Sequence, residues 1–60
     1  MHATEIQEHA RKLFDAHGAK AVAEAAQRAA ALERQGDRDD ARDWRRIEAA
    51  LRLMNGPRES

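Results

Sequence analysis

The chain has 60 residues, no cysteine, and 11 cationic side chains against 11 acidic ones. A single domain of this length buries only about 60% of the surface its unfolded chain exposes, no disulfide can reinforce it, and a net charge of zero offers no global pull toward nucleic acid or an anionic membrane. Hydrophobic residues make up 42% of the sequence, but 14 of them are alanine and only 11 are larger, so one core is thin and a partner subunit is the expected reinforcement.

The amino terminus carries no charged-then-apolar run, and no stretch of about 18 apolar residues occurs, so neither a signal peptide nor a membrane span is expected. The first helix is expected over residues 5–17. Thr4 followed by Gln7 reads as its capping box, and Ile6, Ala10, Leu13, Phe14 and His17 recur at three- and four-residue steps along one face. Gly18, able to take a left-handed conformation, ends it.

Residues 19–35 hold eight alanines around Val22 and Leu32, a composition with the highest helix propensity and with side chains small enough for close helix approach. Gly36 stops this second helix. Asp37 then caps a third, expected over 38–54, with Asp39 and Asp40 in the first turn where the helix dipole favours negative charge. Its stripe of Trp44, Ile47, Leu51 and Met54, at spacings of three, four and three, is the strongest amphipathic signal in the chain. Asn55, Gly56 and Pro57 terminate it. Such short connections force antiparallel neighbours, so the predicted fold is all-α, a single up-down-up three-helix bundle over residues 1–60. Its core anchors are Leu13, Phe14, Trp44, Ile47 and Leu51, and Trp44→Ala is expected to cost roughly 3–5 kcal/mol.

Candidate chemistry is sparse. His2, His9 and His17 are seven and eight residues apart, roughly 10–12 Å along a helix, too far to share one ion. His9 and Glu5 share a four-residue step but gain no third ligand from the helix, so no metal or other cofactor is expected. Asp39-Asp40-Ala41-Arg42-Asp43 matches the D-D-x-x-D string that holds magnesium in isoprenoid diphosphate enzymes, yet 60 residues cannot enclose the deep cavity that such chemistry needs. These acids are expected instead to cap the helix and pair with Arg42 and Arg46. With no cysteine, Thr4 spent on a cap and no glycine-rich phosphate loop, no nucleophile set remains, and the chain is not expected to be an enzyme.

On the outer side of the third helix, turning about 100° per residue from Trp44 gathers Arg38, Arg42, Arg45, Arg46 and Arg52, with Leu53, opposite the apolar stripe. This face is the candidate partner-binding surface. Arginine suits protein interfaces, where its planar fork meets carboxylates. A nucleic-acid-binding regulator using the same face is the alternative, and the weaker one: Asp37, Asp39 and Asp40 occupy the end of the helix that a helix-turn-helix reader would present to bases, and Phe14 is the single further aromatic available for stacking. The expected function is a self-associating protein interaction module or small regulator, most simply a two-fold dimer.

Two resemblances bear on this reading. Gly36-Asp37-x-x-x-Ala41 resembles the turn between tandem helices of tetratricopeptide repeats, which implies a helical hairpin; the 34-residue period has no room to recur. Ala16-His17-Gly18, the alanine-rich helix, Gly36-Asp37, Trp44-Arg45-Arg46-Ile47 and Gly56-Pro57-Arg58 together resemble a family of short, functionally uncharacterised bacterial proteins. That resemblance implies a bacterial, cytoplasmic setting and no activity.

Overall fold

The computed structural model describes residues 2–56, which form three helices: α1, Ala3–His17; α2, Lys20–Arg34; and α3, Arg38–Met54. No strand occurs among the described residues. The helices pack as a small three-helix bundle in which α3 is central, sharing its most extensive interface with α2, a smaller one with α1, while α1 and α2 touch little. No described helix is long and apolar enough to cross a membrane.

Helix ends follow local chemistry. The Thr4–Gln7 box is not the start of α1. His2 is the cap residue, its carbonyl accepts from the Ile6 N–H at 3.0 Å, and the Glu5 carboxylate reaches back to accept from the His2 N–H at 3.1 Å. A carboxylate outcompetes a neutral amide at this end because it also meets the positive end of the helix dipole. Between α2 and α3 the chain makes a Schellman turn: the Asp37 N–H donates to the Leu32 carbonyl at 2.9 Å and the Gly36 N–H to the Glu33 carbonyl at 3.1 Å. Gly36 sits at φ +84°, the left-handed region that a glycine enters without Cβ strain. Asp37 then caps α3, its carboxylate accepting from the Asp40 N–H at 3.4 Å. The expected terminator residue Pro57 lies outside the described residues.

The interior is built on alanine. Ala10, Ala21, Ala25 and Ala29 are fully buried, and the largest fully buried side chains are Ile47 and Leu51. Ile6 and Ala50 complete the central cluster, with Leu13, Phe14, Val22, Trp44 and Met54 packed against it and only partly covered. Of the five expected anchors, then, Ile47 and Leu51 hold the centre while Leu13, Phe14 and Trp44 stand at its edge. The buried face of α2 consists of small residues, and the larger side chains of α1 and α3 cover the cluster from its margin.

Candidate interaction surface

The residues gathered in the sequence as one arginine face are divided by the fold into two groups. Arg45 turns toward α2, where Nε and Nη2 donate to the two carboxylate oxygens of Glu33 at 3.1 and 3.0 Å, while Nη1 donates to Glu48 at 3.1 Å. Glu48, only 7% exposed, also accepts from Arg52 at 2.6 Å. This alternating chain of Glu33, Arg45, Glu48 and Arg52 ties the C-terminal part of α2 to the middle of α3. The fork-to-carboxylate geometry is the strong form of a charged hydrogen bond. It holds the Glu33 carboxyl below its ordinary value, chiefly through the Arg45 hydrogen bond, and pushes the Arg45 guanidinium further up, through Glu33 first and Glu48 second. Arg45 therefore bridges α3 to α2, whereas Arg52 pairs within α3 and its side chain stays 67% exposed.

Arg38, Arg42 and Arg46 form the other group. Steps of four place them in a strip along α3 that continues, seven residues on, to Leu53. All three are exposed, and no ion pair engages them among the described residues. The expected pairing of Arg42 and Arg46 with the first-turn acids is absent. Asp40 instead interacts with Asp37, whose negative charge and hydrogen bond raise the Asp40 pKa.

Beside this strip, between α1 and α3, lies an open groove of about 390 Å³ lined by Ala3, Ile6, Gln7, Arg46, Ala49, Ala50 and Leu53. Leu53 is 71% exposed, the one large hydrophobic side chain so placed among the described residues. The groove exists because Ala49 and Ala50 on one wall and Ala3 on the other are too short to fill the gap between the helices. Helical period already places Leu53 and Arg46 on the outer side of α3, but nothing in the sequence marks Ala3 and Gln7 as the facing wall, which forms only when α1 docks.

On the opposite flank of α3, Trp44 is half-buried between two partners that sequence reasoning also missed. The His9 ring meets it edge-on, centroids 5.2 Å apart at 80°, and the Arg28 guanidinium lies 5.4 Å from the indole centroid. The guanidinium contact uses the indole quadrupole, the cation lying over its electron-rich face, and the His9 contact is an edge-to-face aromatic pair. His17, at the end of α1, lies 3.4 Å from Glu24 of α2. The three histidines are thus dispersed, and no group of three potential metal ligands occurs among the described residues.

No protein-family model matches the chain, and comparison with curated proteins and with solved structures finds no significant match.

Proposed function

We propose that this chain is a small, non-catalytic protein interaction module that associates with itself through the face between α1 and α3. The observation that carries this reading is Leu53, 71% exposed on the lip of an open apolar groove, in a bundle whose largest fully buried side chains among the described residues are Ile47 and Leu51. A core so thin supplies little stability, and burial of the groove face against a partner adds apolar area where the bundle lacks it. Arg38, Arg42 and Arg46 border that face and supply cations that a partner's carboxylates can meet as forks. The nucleic-acid alternative is weakened, because two of the five arginines it would recruit are engaged by Glu33 and Glu48, which leaves fewer cations to displace counterions from a phosphate backbone. The resemblance of the sequence to short bacterial proteins supports a bacterial, cytoplasmic setting.

Light scattering coupled to size exclusion at micromolar concentration tests the reading. The expected mass is twice that of the 6.8 kDa chain, returning toward the monomer on dilution as mass action requires. A chain that stays monomeric and folded throughout overturns self-association.

A further inference from the structure

We draw no further inference here: the strongest candidate, the open apolar groove between α1 and α3 with Leu53 on its lip and the exposed strip of Arg38, Arg42 and Arg46 beside it, belongs to the surface already described, and nothing in the structure shows what covers it.

Discussion

Trp44 shows how far a side chain's identity and its position can diverge. As the only tryptophan in the chain's strongest apolar stripe it reads as the centre of the core, yet it is half-buried at the edge, bounded by His9 and Arg28. Truncation therefore forfeits less than the full burial of an indole. Trp44→Ala is expected to cost about 2–3 kcal/mol, below the range for a fully enclosed tryptophan, and in a double-mutant cycle on thermal melting Arg28→Ala should cost less in the Trp44→Ala background than in the wild-type chain, by the energy of their contact. Glu33 allows a second test. Its folded-state pKa is lowered from 4.5 by the Arg45 hydrogen bond, so the stability it contributes is present above the unfolded value and is lost as pH falls through the folded one. Asp40 acts in the reverse sense, since its raised pKa favours the protonated form. Glu33→Gln is expected to flatten the loss of stability below about pH 4.5, and Asp40→Asn to steepen it. A melting series from pH 7 to pH 3 reads both slopes, and added salt should shrink them, since these groups are exposed and screened.

At the scale of helices, boundaries were the legible part of the sequence. Gly18, Gly36 and Asp37 punctuate the chain where the helices end or begin, because a left-handed turn and an acidic cap are needs of the local backbone that few residue types meet. The two anchors Ile47 and Leu51 were legible for the same reason: helical period alone puts them on the inner face. Alanine was not. Ala21, Ala25 and Ala29 at four-residue steps form the buried face of α2, yet alanine is at home on either side of a helix and so does not announce which side is inward. Nor was the direction of Arg45, whose long side chain reaches a glutamate on another helix, a contact that exists only once α2 and α3 have docked. The buried alanines carry their own prediction. Ala25→Leu inserts volume where the side chain has no exposure at all, and overpacking of this kind is expected to cost at least about 1–3 kcal/mol, visible as a lowered melting temperature. Ala23→Leu, on the exposed side of the same helix, should be near neutral.

For the molecule as a whole, the interaction surface was legible on one side only. The arginine strip and Leu53 belong to a single helix, so the period of that helix places them together. The groove between α1 and α3 is a product of two helices far apart in sequence, and its depth depends on three alanines that look like filler. The same arrangement has a consequence for how the molecule breathes. Since α2 and α3 share the larger interface, reinforced by the bridge from Arg45 to Glu33, while α1 barely touches α2, the last two helices form a hairpin unit and α1 is the part held least. Local opening therefore begins with α1 lifting from α3, in the manner of a cooperative unit less stable than the rest. But α1 is one wall of the groove. The recess exists only in the fraction of molecules whose first helix is seated, and whatever fills it must hold that helix down, so that occupancy of the groove and slowed amide exchange along residues 3–17 are two readings of one equilibrium.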